Sequence, residues 1–340
     1  MADLYVVTGG AGFVGANLCA EIARRAPGAR VACLDDFRAG SFANLIEAYE
    51  RRNVGAVSCD VHAAGWNEAA FRLDASERAT VLHMAAITDT TIDDQAEMLD
   101  ANSGDGWDEL LAICVESGSR LVYASSAATY GTPGEAASSR PFPLDAAGTP
   151  DNIYGFSKWV MENQHRRVQR EHPDAHIVGL RFFNVFGPGE SAKGKMASMA
   201  YKLAQQMLRG ERPAIFADGG QARDQVYVDD VVDCVLHAAG LGENPTPKPG
   251  IYNLGSGRAT TFNQVVDAVR EGLGIASGEL PTEYIEMPAD IARFYQSFTL
   301  ADMSETKAGL GWEPGHDPIE ALQGYAAYLR KRHETSGGPA

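Results

Sequence analysis

The stretch Thr8-Gly9-Gly10-Ala11-Gly12-Phe13-Val14-Gly15 constrains this chain most, because it stands between an apolar run, Leu4–Thr8, and a helical pattern, Val14–Arg25. Read from Gly10 it is Gly-x-Gly-x-x-Gly, and read from Gly9 it is Gly-x-x-Gly-x-x-Gly. Glycines placed so permit a tight turn, let backbone approach a pyrophosphate and let the helix pack close to the strand. The start of the helix then offers free amides and partial positive charge to an anion. Asp35 stands 20 residues after Gly15, at the end of the next apolar run, where a carboxylate can accept both hydroxyls of an adenosine ribose. A purely structural turn has no need of that acid. Gly9, Gly12, Phe13, Val14, Gly15 and Asp35 therefore read as a dinucleotide site. Asp36 reads as a turn residue at its edge, and Asp60, after Val57-Ser58-Cys59, fits either the adenine edge or a loop cap.

From there the N-terminal half alternates short apolar runs with longer helical patterns: Arg30–Asp35, Val54–Cys59, Thr80–Met84, Gly106–Glu116 and Arg120–Ser125. The runs suit buried parallel strands and the intervals suit crossover helices, which predicts a doubly wound α/β sheet. A helix is expected after Asp151-Asn152, carrying Tyr154 to about Glu171, then a strand over Ile177–Phe183. Past Gly187-Pro188-Gly189 the pattern changes to a helix over Met196–Arg209, short strands and Val228–Leu241, while Gly250–Gly257 has the look of a strand that rejoins the first sheet. The two lobes are thus interleaved, with residues 1–181 and about 226–258 in the first and about 182–225 and 259–331 in the second. The tail after about Lys331 is expected to fray.

With 340 residues, 45% of them hydrophobic, the chain can bury a large core. Its net charge of −16 leaves no basic face for a phosphodiester backbone, so nucleic acid is not an expected partner. A small anionic ligand stays open, since backbone amides and one or two cations can hold phosphate locally. No apolar run approaches the roughly 18 to 20 residues that span a bilayer, so no membrane partner is expected. No basic leader precedes the first strand, which reads against export. The five cysteines, Cys19, Cys33, Cys59, Cys114 and Cys234, are scattered and never spaced Cys-x-x-Cys. They read as buried free thiols in a reducing cytoplasm, and no metal site is expected.

Chemistry enters with Tyr154-Gly155-Phe156-Ser157-Lys158, where Tyr and Lys share one helix face a turn apart. A nearby ammonium favours a phenolate, so Tyr154 can serve as general base at a sugar hydroxyl, while Lys158 assists and can hold a nicotinamide ribose. That spacing also arises by chance on surface helices. It gains weight from Tyr123-Ala124-Ser125-Ser126, which ends an apolar run where doubly wound sheets place their ligands, and Ser126 can hydrogen-bond the reacting oxygen.

These features resemble the extended short-chain dehydrogenase/reductase superfamily, the NAD-dependent epimerases and dehydratases. Thr8–Gly15, His83-Met84-Ala85-Ala86, Ser125–Gly131, Tyr154–Lys158 and Arg181–Pro188 fall in that superfamily's order along essentially the whole chain. The resemblance implies a Rossmann-type doubly wound parallel sheet with a smaller α/β substrate-binding lobe. It implies that Asp36, Arg38, Asp60, Val61, Met84, Ala85, Ala86, Thr88 and Asn102 lie along the cofactor, and that Asn184 meets the substrate's pyrophosphate. Dehydratases of this kind carry Asp-Glu after the active-site serine and decarboxylating relatives a Glu, whereas this chain has Ala127-Ala128. Transient oxidation to a ketone followed by re-reduction, an epimerisation, is what remains.

Gly189–Ser198, Phe216-Ala217-Asp218-Gly219, Arg223-Asp224 and Arg293–Thr299 are similar to the ADP-L-glycero-D-manno-heptose 6-epimerase family. That likeness implies ADP-heptose as the nucleotide-diphosphate sugar, with Lys193 as a second acid/base opposite Tyr154, and Lys195, Lys202, Phe216, Arg223 and Tyr295 as substrate contacts. Lys193 also reads as a cation for the diphosphate, and the two readings stand side by side. The chain departs from that family at Met84-Ala85-Ala86-Ile87-Thr88, nearer to general sugar-nucleotide epimerases, and at Phe42, where a lysine would help hold an NADP 2′-phosphate. Arg38 could approach such a phosphate, but Asp35 and Asp36 would repel it. NAD is the preferred cofactor, with NADP open. A UDP-hexose 4-epimerase and a non-catalytic NAD(P)-binding redox sensor are the alternatives, and a homo-oligomer is expected.

Overall fold

The computed structural model describes residues 3–50, 53–69, 78–89, 94–132, 139–242, 246–276, 278–287 and 296–336. Among them, seven strands form one sheet: β1 (Leu4–Thr8), β2 (Arg30–Asp35), β3 (Val54–Ser58), β4 (Ala79–His83), β5 (Arg120–Ser126), β6 (Ile177–Phe182) and β10 (Gly250–Leu254). Every pairing is parallel and the order is β10-β6-β5-β4-β1-β2-β3, so the winding reverses between β1 and β4. As expected, the strand at Gly250 rejoins the first sheet, against β6.

Parallel strands covered on both faces must be apolar on both. Tyr5 and Val7 of β1, Val31 and Cys33 of β2, and Val178 and Leu180 of β6 face one core, packed with Leu18 and Ile22 of α1 (Phe13–Arg25) and Val231 and Val235 of α8 (Val228–Ala238). Their neighbours Leu4, Val6, Ala32, Leu34 and Ile177 face the other, with Trp107 and Leu111 of α5 (Asp105–Ser117) and Met161 of α6 (Ile153–Glu171). Short helices α2 (Ile46–Tyr49) and α3 (Trp66–Ala69) and the longer α4 (Gln95–Ser103) complete the first half. All five cysteines are buried and free.

Two smaller sheets follow. Strand β9 (Ala222–Tyr227) lies between β7 (Asn184–Phe186) and β11 (Ala259–Thr261), and β8 (Ala214–Phe216) pairs with β12 (Glu283–Ile285). Helices α7 (Met199–Leu208) and α9 (Phe262–Leu273) and the helix Pro318–Ser336 share a separate core around Leu203, Val265, Val269 and Leu322. Two boundaries differ from the sequence reading. Helix α7 starts at Met199 instead of Met196, because Gly194 at φ 53° interrupts the preceding 3-10 segment Glu190–Met196 and the Ser198 side chain accepts from Tyr201 N at 3.1 Å as the cap. The last helix continues past Lys331 to Ser336, with Thr335 Oγ1 bonded to the Lys331 carbonyl at 3.1 Å. Among the described residues no helix is long and apolar enough to cross a membrane.

The glycine turn shows why the residue type matters. Gly9, at φ +63°, turns its carbonyl inward to accept from Gly12 N at 3.1 Å, and a Cβ on Gly15 would stand 2.1 Å from that oxygen. Gly28, by contrast, has open space around its Cβ position. Gly15→Ala is therefore expected to lower stability by about 2–3 kcal/mol despite alanine's ~1 kcal/mol better helix propensity, and Gly28→Ala to change it by less than about 0.5 kcal/mol. Denaturant melts of both variants check this; equal stabilities would contradict the close approach of α1 to the turn.

Candidate active site

The carboxyl ends of β1, β4 and β5 open into a cavity of about 640 Å³. Its floor is the glycine turn, with Gly9, Gly12, Phe13, Val14 and Gly15 on the wall. A Cβ on Gly9 would sit 2.7 Å from Ala85 N, so the turn and the loop after β4 touch backbone to backbone. That loop, carrying Met84, Ala85, Ala86 and Thr88 on the wall, is held from behind. Thr8 Oγ1 accepts from Ala85 N at 3.3 Å and pairs with His83 Nδ1 at 2.8 Å, and burial holds His83 well below the usual histidine range. Asn102 does the same farther along. Its Oδ1 accepts from Ile87 N at 2.8 Å, and its Nδ2 donates to Ile87 O and to Ser157 Oγ, both at 3.0 Å. Asn102 is buried and supports the loop from behind, and it is not among the residues that line the cavity.

At the other end, Asp35 is buried, with Oδ2 accepting from Ala11 N at 2.9 Å and Oδ1 from Phe37 N at 2.8 Å. A Cβ on Gly40 would stand 2.7 Å from Asp35 Oδ1, so that glycine keeps the carboxylate's surroundings open, a role the sequence reading missed. Asp36, Arg38, Asp60 and Val61 also line the cavity. The Arg38 guanidinium reaches Asp36 at 2.9 Å and Asp60 at 3.4 Å.

The reactive end is built by two elements that must meet. Strand β5 ends in Ser126, whose Oγ accepts from Ala128 N at 3.1 Å, and α6 starts after Asn152, whose Oδ1 accepts from Gly155 N at 2.8 Å. A Cβ on Gly155 would lie 2.5 Å from Ala128 O. This glycine therefore lets the first turn of α6 approach the end of β5, which puts Tyr154 beside Ser126. Burial pushes the Tyr154 phenol above its ordinary value, and the neighbouring Ser126 works against that. Its place in the first turn of α6, at the positive end of the helix dipole, favours the phenolate as well. One turn on, Lys158 is 1% exposed and donates to Ala124 O at 2.9 Å, and burial lowers its pKa to about 7.

Behind these groups lies an ion pair that the sequence reading did not identify. Glu162 of α6 receives Arg181 of β6 in a fork, Nε to Oε1 and Nη2 to Oε2, both at 2.8 Å. Ser125 Oγ, adjacent to Ser126, donates to the same Oε1 at 2.7 Å. Arg181 Nη1 donates to Tyr130 OH at 2.9 Å, and Tyr130 passes the chain to Asn253 Oδ1 of β10 at 2.7 Å. The Tyr-x-x-x-Lys-x-x-x-Glu spacing and a lone Arg within an apolar strand were the available signals.

The segment Glu190–Met196 supplies a further part of the wall. Lys193 and Lys195 line the cavity, Lys193 Nζ lies 5.3 Å from the centre of the Phe13 ring, and Lys195 pairs with Asp89 at 2.8 Å. Burial lowers the Lys193 pKa, the Glu190 carboxylate raises it and the Lys202 charge lowers it. Lys202 lies on α7, close enough for the Glu190 charge to act on it, and is not on the cavity wall; nor are Asn184, on β7, Phe216, on β8, or Arg223, on β9. Asn184 Oδ1 accepts from Thr299 Oγ1 at 3.4 Å, and Arg223 is buried with Nη1 toward Ala222 O at 3.3 Å. Tyr295 lies outside the described residues. The structure therefore brings Ser126, Tyr154, Lys158, Lys193 and Lys195 to one cavity and leaves Asn184, Lys202, Phe216 and Arg223 off its wall.

A sequence model of the NAD dependent epimerase/dehydratase family matches residues 5–255. Among solved structures, the ADP-L-glycero-D-manno-heptose-6-epimerase of Helicobacter pylori is 30% identical, with 96% of each chain covered and a TM-score of 0.81. The UDP-glucose 4-epimerase of Thermotoga maritima, solved with UDP-glucose, is 28% identical over 97% of this chain and 99% of that one, with a TM-score of 0.81. The UDP-glucose 4-epimerase of Thermus thermophilus, solved with NAD, is 26% identical over 96% and 99%, with a TM-score of 0.78.

The buried ammonium has a consequence for stability. The folded state holds the Lys158 proton less tightly than the unfolded chain does, so between pH 7 and about 10.5 the unfolded chain binds more protons and the penalty shrinks as pH rises. Lys158→Met in cofactor-free protein is expected to be more stable than the parent by on the order of 2–4 kcal/mol below pH 7, with the difference fading toward pH 10. Denaturant melts across that range test it, and a gap independent of pH would contradict it.

Proposed function

The chain belongs to the NAD-dependent epimerase/dehydratase family, and on that premise we propose that it interconverts the C6 epimers of ADP-glyceromanno-heptose. The observation that carries this reading is Lys193, a second group able to hold a proton, in the same cavity as Ser126, Tyr154 and Lys158. The glycine cradle, the Asp35 carboxylate and the amide-bearing start of α1 fit a dinucleotide. Bound NAD supplies a hydride acceptor and returns the hydride. The protein's own groups do the rest. Ser126 holds the reacting oxygen, and Tyr154 takes the hydroxyl proton as the carbon is oxidised. The ketone then re-presents its other face, and Lys193 furnishes the proton from the opposite side. Ala127 and Ala128 offer no acid or base beside Ser126, which disfavours loss of water. By the likeness to the heptose enzyme, we assign residues 1–181 with about 226–258 to the cofactor and about 182–225 with 259–331 to the nucleotide sugar.

The cofactor we assign is NAD over NADP. A 2′-phosphate would have to displace Asp36 and Asp60 from Arg38 and stand beside Asp35. A second reading, a UDP-hexose 4-epimerase, draws support from Met84-Ala85-Ala86-Ile87-Thr88 on the cavity wall, which departs from the heptose pattern.

Purified protein is expected to epimerise ADP-heptose at C6 without added cofactor, as followed by NMR, and to release NAD on denaturation. Turnover of UDP-glucose to UDP-galactose with ADP-heptose unchanged would replace the leading reading by the second. Tyr154→Phe is expected to lower kcat by at least about a hundredfold. Wild-type protein with no turnover of any nucleotide sugar would favour a redox sensor.

A further inference from the structure

The wall that carries Lys193 is a loop closed at its neck by one carboxylate. Glu190 is fully buried, and its Oε1 accepts from Gly187 N at 3.2 Å, at the loop's start, and from Ser198 Oγ at 2.8 Å, at its end. Its Oε2 accepts from Ser198 N at 2.6 Å, and Tyr325 of the helix Pro318–Ser336 lies close enough for the Glu190 charge to raise its phenol. Ser198 in turn caps α7, and Asn17 of α1 donates to Pro188 O at 3.0 Å, so both ends of the loop are tied to the body of the protein. A carboxylate buried with no matching cation in contact is costly unless its lone pairs are met by fixed donors. Gly187 and Ser198 supply those donors.

We propose that Glu190 is a positioning residue for the epimerisation, clasping the 187–198 loop at its neck and so determining where Lys193 stands in the cavity. This rests on the reading of Lys193 as the second acid/base. The charged and titratable groups that face Glu190 are Lys193 on its own segment, Tyr201 and Lys202 on α7 and Tyr325 on the last helix. Its negative charge holds the Lys193 proton against burial and against Lys202. A glutamine at this place would set its amide N–H groups against the backbone donors at the neck and remove that charge. Both effects converge on Lys193, by displacing it and by easing its deprotonation.

The test measures kcat, KM and the pH profile of kcat with ADP-glyceromanno-heptose for wild type, Glu190→Gln, Glu190→Asp and Lys193→Ala, with thermal melts alongside. Glu190→Gln is expected to lower kcat by about 10- to 100-fold with KM within about threefold, and to move the limb that Lys193→Ala abolishes to lower pH. Glu190→Asp keeps the charge but is too short to span the neck, so kcat should fall about tenfold while the limb stays in place; it also serves if the glutamine variant does not fold. A lowered melting temperature with kcat and the pH limb at wild-type values in either variant would make Glu190 merely structural and overturn the proposal. If Lys193→Ala itself keeps wild-type kcat, the two-base reading fails first, and the inference falls with it for that distinct reason.

Discussion

The buried fork between Glu162 and Arg181 is the contact on which the reactive end of this protein depends. Its two partners are 0% and 1% exposed, and they join α6, which carries Tyr154 and Lys158, to β6. Through Ser125 the same carboxylate holds the end of β5, and through Tyr130 and Asn253 the guanidinium reaches β10. A fully buried ion pair adds little net stability over an apolar pair of similar size, but removing one partner strands a charge in the core. Its physical value here is registration. Tyr154 and Ser126 come from separate elements, and a helix packed only through apolar side chains could slide along the sheet by a fraction of a turn. The fork leaves one position in which all of its hydrogen bonds are made.

Around that fixed point the cavity has walls of two kinds. The cofactor side is backbone against backbone, with Gly9, Gly15 and Gly155 each removing a side chain at a place where the next atom is 2.7 Å or less from a Cβ position. Such a wall cannot relax, and it suits a ligand held by amide hydrogens and a helix start. Another part of the wall is the loop from Gly187 to Ser198, whose two ends Glu190 joins by hydrogen bonds. It bears lysines, whose long side chains and titratable charges suit proton transfer and phosphate contact.

Local features were readable in the sequence because their cause is local. The glycine turn, Asp35 at the end of β2, the start of α6 after Asn152 and the Tyr154–Lys158 spacing each follow from neighbours in the chain, and the alternation of runs foretold a doubly wound parallel sheet. Even the return of Gly250–Leu254 to the first sheet was visible as an apolar run of strand length. Side chains that act across a gap in sequence left no such local sign. Asn102 holds the loop after β4 from behind, its amide pairing with both backbone groups of Ile87. Helix α7 began later than its apolar pattern suggested because Ser198 had a stronger use as a cap.

By itself, then, the sequence determined the class of fold, the dinucleotide turn and the residue types of the reactive end, because hydrophobic period, glycine sterics and helical spacing act over a few residues. Only the tertiary structure decided which of those residues share a cavity, that Lys158 is buried beside a carbonyl with a pKa of about 7, that Glu162 pairs with Arg181 behind it, and that Glu190 joins the two ends of the loop that carries Lys193. The reason is one of dielectric and distance. The fate of a buried charge depends on donors that arrive from other elements, and the linear pattern of the chain carries no record of which ones those are.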